Sequence, residues 1–305
     1  MSARRRVTLV AIASCVSVVA FGMLAVCSPC SVMARGDRAQ VYAHEAGANR
    51  VESVGTVVES ATEWQFKQLV SQATPIVIES VRGDVLLTGC AGDEVSIRAV
   101  ARSTREGGAG VADLFSVRND DGTLYLSVVD DSRGDFDSGI DIVLIVPETC
   151  PVTIHSRQGA IALEQLSAGA TVTAGVGTIR AKNVHGGLAA RTGSGCIYRD
   201  ACTGHADLET SRGDVRITQD RPFAEHDKLA VKTLDGRVEL VAHPDSAFAL
   251  TVNSVRNRLD CEFPVVMTSG FSEQTLSGHV GEGGGALSVD TLDGPIVIRS
   301  QASEL

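Results

Sequence analysis

Apolar and polar residues alternate in short runs along most of this chain, and over residues 159–216 the runs recur at a fixed interval. Gly159, Gly177, Gly195 and Gly213 stand eighteen residues apart. Two residues after each comes a β-branched aliphatic: Ile161, Ile179, Ile197 and Val215. The second half of the unit keeps register too, with Ala170, Leu188 and Ala206 aligned and Val172, Ala190 and Leu208 aligned two residues later. Polar residues such as Arg180, Lys182, Arg191, Asp207, Glu209 and Arg216 fill the alternate positions. Strict alternation is the period of a half-buried strand, so each unit predicts two short strands and two turns. Glycine suits a tight reversal because a Cβ makes positive φ costly. Ser80, Ser156, Thr192, Thr210, Thr233 and Thr291 precede such turns and are placed to bond the turn backbone.

A strand pair this small cannot bury its apolar side alone. Stacked on its neighbours, it forms parallel ladders around a continuous narrow core. The expectation is an all-β chain: a single β-solenoid, parallel β-helix or β-roll-like, of eighteen-residue coils behind an N-terminal apolar helix. Looser copies of the turn occur at Ser80-Val81-Arg82-Gly83-Asp84-Val85, Thr233-Leu234-Asp235-Gly236-Arg237-Val238 and Thr291-Leu292-Asp293-Gly294-Pro295-Ile296. The intervals Gly83 to Gly122 and Gly122 to Gly159 are each close to two units, and residues 219–228 read as an inserted loop. Pro295 lacks a ladder donor and is expected in the last unit, at an open edge. Asn257 stands where a turn glycine is expected, and Arg199 falls in an inward slot aligned with Ala181 and Ile217. A left-handed hexapeptide helix fails because it would bury His185 and Arg191. A calcium β-roll fails because Gly281-Glu282-Gly283-Gly284-Gly285 lacks the following Asp.

The first thirty-four residues follow a different pattern. Arg4, Arg5 and Arg6 precede an uncharged apolar run from Val7 to Val26, the form of an export signal or a membrane anchor. The run is long enough to cross a bilayer uncleaved. Alternatively, Val32-Met33-Ala34 offers a cleavage site between Ala34 and Arg35. In a third reading, Leu24-Ala25-Val26-Cys27 resembles a lipoprotein box with Cys27 as the lipidated residue, although Val26 is bulky for it; Ile12-Ala13-Ser14-Cys15 fits that box better but follows a short apolar run. All three readings export the rest. The expected division is a signal peptide or anchor over 1–34, a linker over 35–62 and the repetitive domain over 63–301.

Composition sharpens this picture. The chain of 305 residues has 31 glycines, only 4% aromatic residues and a formal charge of −10. So few rings require a core of Val, Ile, Leu and Ala, and the acidic balance with scattered arginines excludes a nucleic-acid partner. Five cysteines follow the export segment, Cys90, Cys150, Cys196, Cys202 and Cys261, and are read mainly as small core residues. Cys202 is expected inward beside Val184 and Cys196 outward. No Cys or His spacing suggests a metal, and no cofactor motif occurs. Trp64 and Phe66 are expected to cap the first coil.

Several of these residues resemble the bacterial putative-adhesin family, long known as a domain of unknown function. The resemblance covers about 64–300. It rests on Trp64-Gln65-Phe66, the Gly83-Asp84 turn, Val146-Pro147, the eighteen-residue units and Gly283-Gly284-Gly285-Ala286-Leu287-Ser288-Val289. It implies a secreted or envelope-anchored β-solenoid and carries no catalytic residues.

Arg-Gly-Asp, a tripeptide that integrins bind, occurs four times, where composition alone predicts about 0.2 copies. The copies at 82–84 and 212–214 are the repeat's own turn, and that at 35–37 adjoins the export segment. Only Arg133, Gly134 and Asp135 fall in a polar irregular stretch, so they are the candidate partner-binding residues. Asp200, Asp207, Glu209 and Asp214 alternate with apolar residues as a solvated face rather than as a glycosidase pair. The expected function is that of an exported, envelope-anchored, non-enzymatic adhesin or binding scaffold. Its partner is a protein or glycan at the cell envelope or host surface. Alternatives are an envelope scaffold or stress-signalling component, and a polysaccharide-active β-helix enzyme.

Overall fold

A computed structural model describes residues 56–59, 63–102, 111–128, 139–255, 259–268, 275–282 and 284–301. Among these the chain is all-β apart from one four-residue helix, Val111–Leu114, and its strands form two twelve-stranded mixed sheets. The N-terminal apolar segment, including Cys27, Ala34 and Arg35, lies outside the described residues. Thr56–Glu59 is a strand paired antiparallel with Glu63–Leu69, so the first sheet begins inside the expected linker.

The eighteen-residue unit sets the pairing. In the first sheet Ile161–Leu166, Ile179–Val184, Ile197–Asp200 and Val215–Thr218 pair in parallel, with Ile161, Ile179, Ile197 and Val215 as successive register partners. In the second, Val152–Gln158, Ala170–Val176, Leu188–Ser194 and Ala206–Arg212 do the same, which aligns Val172, Ala190 and Leu208. Alternate residues of both sheets turn inward and are buried, and they meet in one continuous aliphatic core. Parallel strands in register put like side chains above one another at a spacing of about 4.8 Å, so a narrow core fills without large rings.

The turn glycines form a column of their own. Gly195 has φ +150°, and a Cβ there would fall 2.0 Å from the Gly177 carbonyl oxygen. Backbone approaches too closely at this corner for any side chain. Thr192 and Thr210 donate their hydroxyls to the carbonyls of Gly177 and Gly195 in the preceding row, at 3.1 and 3.0 Å. The acid of the Gly-Asp turns has an internal task. Asp84 accepts the Ala160 N–H at 2.7 Å, and Asp214 accepts the Arg237 N–H at 2.8 Å. Two of the four Arg-Gly-Asp copies therefore spend their carboxylates on the neighbouring turn.

At both ends, spatial order departs from chain order. Val85–Cys90 lies beside Ile161–Leu166, with Val85 opposite Ile161, while the intervening chain forms a further row outside it. Gly122 consequently sits in the hairpin between Phe115–Asp120 and Thr123–Val128, not at a row corner. The two intervals around it are an end structure rather than two units each. At the other end Gly285–Asp293 and Ile296–Ser300 insert between Lys228–Asp235 and Val238–Ala242 on one side and Phe248–Ser254 and Leu259–Cys261 on the other. Pro295 is thus interior, not at an edge. It is tolerated because it occupies the post-glycine turn position, where its carbonyl still accepts the Val238 N–H at 3.0 Å. Asn257 lies outside the described residues.

Rings gather at these ends. Trp64, buried, stacks on Phe66 at 5.7 Å and meets Phe115 at 4.8 Å. Phe223, Phe248 and Phe263 form the opposite cluster, at 5.1 and 5.9 Å. Antiparallel strands flank both ends: Glu63–Leu69 with Glu94–Ala101 at one, and Thr275–Val280 with Phe248–Ser254 at the other.

Candidate functional site

Outward positions of the strands build two surfaces, one on each sheet. On the second sheet an open groove of about 540 Å³ crosses the rows that contain Glu209, Lys232, Asp290, Asn253 and Thr275. These five are successive register partners, so the groove runs across the strands along the stack. Asn253 Nδ2 donates to Asp290 at 2.5 Å, and Asn253 Oδ1 accepts from the Thr275 hydroxyl at 3.0 Å. At the lower end Arg191 pairs with Asp207 at 2.9 Å and Glu209 at 3.4 Å. Leu234, Leu292 and Val255 line one side and are each more than half exposed. They occupy equivalent positions after Thr233, Thr291 and Ser254, which are register partners or near neighbours, so they form an aliphatic stripe. A trough of alternating donors and acceptors beside an apolar stripe suits non-covalent recognition of an extended ligand.

The first sheet presents a different chemistry. Arg180, Tyr198, Arg216 and Glu239 are successive outward partners. The Arg180 guanidinium lies over the Tyr198 ring, 5.2 Å from its centroid. The charge of Cys196 raises the Tyr198 pKa, with burial adding to it. Glu239 is surrounded by Arg216 at 3.9 Å, Arg237 at 3.7 Å and Arg299 at 4.0 Å. Toward the N-terminal rows the same face carries the exposed aliphatics Leu86 and Ile145.

Arg199 does point inward, as its alignment with Ala181 and Ile217 requires, and is 2% exposed. It donates to Gln219 Oε1 at 2.9 Å, while its own Nε and the Gln219 Nε2 have no partner among the described residues. Burial pulls the guanidinium pKa down, against the opposing charges of Cys202 and Asp227. Asp227 in turn ties the loop over 219–228 to the stack, accepting from Ala224 N at 2.8 Å and Gly204 N at 3.1 Å. The arrangement anchors the insertion, with the Arg199 side chain itself closed to solvent.

Cys202 is inward beside Val184, whose N–H donates to its sulfur at 3.3 Å, and burial raises its thiol pKa. The five cysteines of the described residues are free thiols. Among these residues no group of three His, Cys, Asp or Glu side chains is placed to hold a metal, and no helix is long and apolar enough to span a bilayer. The Arg133-Gly134-Asp135 candidate lies outside the described residues. Sequence reading missed the Glu239 cluster and the Lys232 groove. Their only signal was the twice-repeated Thr-Leu-Asp-Gly turn, whose leucine has no inward place in the alternation.

No protein-family model matches the chain, and no curated protein matches it. Among solved structures it is similar to a putative cell adhesion protein from Clostridium sporogenes at 11% identity and a TM-score of 0.37, over 78% of this chain and 99% of the other. A putative adhesin from Bacteroides fragilis shares 13% identity at a TM-score of 0.36, over 80% and 99%. A putative lipid binding protein from Parabacteroides distasonis shares 10% at 0.29, over 79% and 98%.

Proposed function

We propose that this chain is an exported, envelope-anchored β-solenoid that acts without catalysis, as an adhesin or binding scaffold presenting repeated side chains to a protein or glycan. Residues 1–34 serve as signal or anchor and the stack over 63–301 as the display. The observation that carries the reading is the in-register column of outward polar residues from Arg191 to Thr275, which continues into a groove with its own aliphatic stripe. Such columns give an extended surface whose geometry is fixed by the backbone. Within this reading Arg133-Gly134-Asp135 is a receptor contact, and Asp135→Glu abolishes attachment to integrin-bearing cells without unfolding the chain.

The test is a binding screen of the full-length chain, purified in detergent, against immobilised glycans and envelope proteins. A Lys232→Ala/Leu234→Ser variant of unchanged circular dichroism serves as the comparison. The reading expects at least one saturable partner weakened by the variant. A chain that binds nothing, or that degrades a polysaccharide, refutes it.

A further inference from the structure

We infer that the outer face of the first sheet around Glu239 docks an acidic polysaccharide, one bearing carboxylate or sulfate groups along its length. The inference rests on the scaffold reading above and names the partner class for one of its two faces. Its starting point is a mismatch in donors. Each guanidinium carries five N–H donors, whereas a carboxylate offers about four acceptor positions. Arg216, Arg237 and Arg299 converge on the single carboxylate of Glu239, which cannot fill most of their donors.

The distances agree with that count. Charge-assisted hydrogen bonds close to about 2.7–2.9 Å, but the three contacts to Glu239 span 3.7–4.0 Å. Glu239 gathers the arginines electrostatically and leaves each planar fork free to take a second anion in bidentate fashion. All three arginine side chains are 41–55% exposed, while Glu239 is only 17% exposed beneath them. Positive charge therefore faces solvent and the compensating negative charge does not.

The neighbouring rows extend the surface. Arg180 is held on the Tyr198 ring rather than by an acid, two rows beyond Arg216 with Tyr198 on the row between. Asp214 is occupied with the Arg237 N–H, and Asp200 stands opposite Lys182. These rows set Arg180, Lys182, Arg216, Arg237 and Arg299 against Asp200, Asp214 and Glu239, a local positive excess on a chain whose formal charge is −10, bounded by Asp260 and Glu262 beyond Ile296–Ser300. That contrast restricts the partner. Duplex nucleic acid carries a charge every ~1.7 Å of its axis and would meet the acids that flank the cluster. A membrane surface is held by larger basic clusters joined to buried apolar side chains, and the exposed aliphatics of this face lie several rows away. A polysaccharide with separated anionic groups and apolar C–H faces matches separated guanidiniums and one tyrosine ring.

Polygalacturonate and neutral dextran, each immobilised, test the inference with the full-length chain purified in detergent. Expected are saturable binding to polygalacturonate alone and its release by 0.5 M salt, as exposed charge pairs are screened over about 3–10 Å. The Arg216→Gln/Arg299→Gln variant, with unchanged circular dichroism, should bind at least tenfold more weakly. Arg118→Gln, exposed on the opposite sheet and outside both surfaces, should bind as the parent does. Equal binding by the double variant, equal retention on dextran, or tighter binding to polyglutamate, duplex DNA or anionic vesicles overturns it. If one of those results comes with a partner that depends on Lys232 and Leu234, the scaffold reading stands and this inference alone falls. If no partner binds in either screen, both fall.

Discussion

The middle of this molecule and its two ends solve the same burial problem by opposite means. Over residues 152–218 each row rests on a near-copy of itself, and the core between the sheets is Val, Ile, Leu and Ala in repeating columns. At the ends no further copy exists to cover the last row. There the chain spends its scarce rings, Trp64, Phe66 and Phe115 at one end and Phe223, Phe248 and Phe263 at the other, and turns its strands antiparallel. Repetition makes a core from small side chains provided that neighbours are identical. Termination needs large apolar area and a change of strand direction to hide the open edges.

Breaking a repeated position should therefore be more damaging than breaking an end. Gly195→Val puts a Cβ within 2.0 Å of the Gly177 carbonyl oxygen and imposes φ +150° on a β-branched residue. The expected loss exceeds about 4 kcal/mol, the range reserved for such structural conflicts. Ile179→Asp, which buries an unpaired charge, should match it. Urea titration checks both, and neither variant is expected to show the parent's cooperative unfolding transition.

Trp64→Ala should cost about 3–5 kcal/mol, but locally. Hydrogen exchange is expected to show lost protection in Glu63–Leu69 and Glu94–Ala101 and retained protection in Ile179–Val184. Uniform loss along the chain would abolish the distinction between end and middle.

How much of this could be read in the sequence follows the same division. Ile161, Ile179, Ile197 and Val215 were legible because each contacts a residue eighteen positions away, within one period. Val85 beside Ile161 and Val238 beside Ile296 were not, because the partners lie on either side of a long excursion. Nothing local marks where a chain leaves the row order, so Gly122 and Pro295 were misplaced. The groove was hidden for a related reason: Asp290 joins Lys232 only through that reordering. Arg199 was legible as an inward residue, while its partner Gln219 became visible only in the folded chain.

Arg199 also sharpens the comparison, since it is a large polar side chain inside the regular region. Gln219→Leu removes its hydrogen-bond acceptor and should cost about 3–5 kcal/mol. Adding Arg199→Met should recover most of that loss, because an apolar pair of similar volume needs no partner. Thermal unfolding of the two variants decides it. At the small end of the scale, Lys182→Asp on the outer face should change stability by less than about 0.5 kcal/mol in the same assay.

The stacking of rows is tested most directly by disulfide trapping in a background with the free cysteines replaced. Lys182 and Asp200 are register partners in adjacent rows, and Asp200 and Thr218 in the next. Cα atoms about 4.8 Å apart lie within reach of a disulfide, and those two rows away, about 9.6 Å, do not. The account predicts rapid oxidation of the Lys182→Cys/Asp200→Cys pair and none for Lys182→Cys/Thr218→Cys. A bond between 182 and 218, or failure of the adjacent pair in a folded chain, would contradict it.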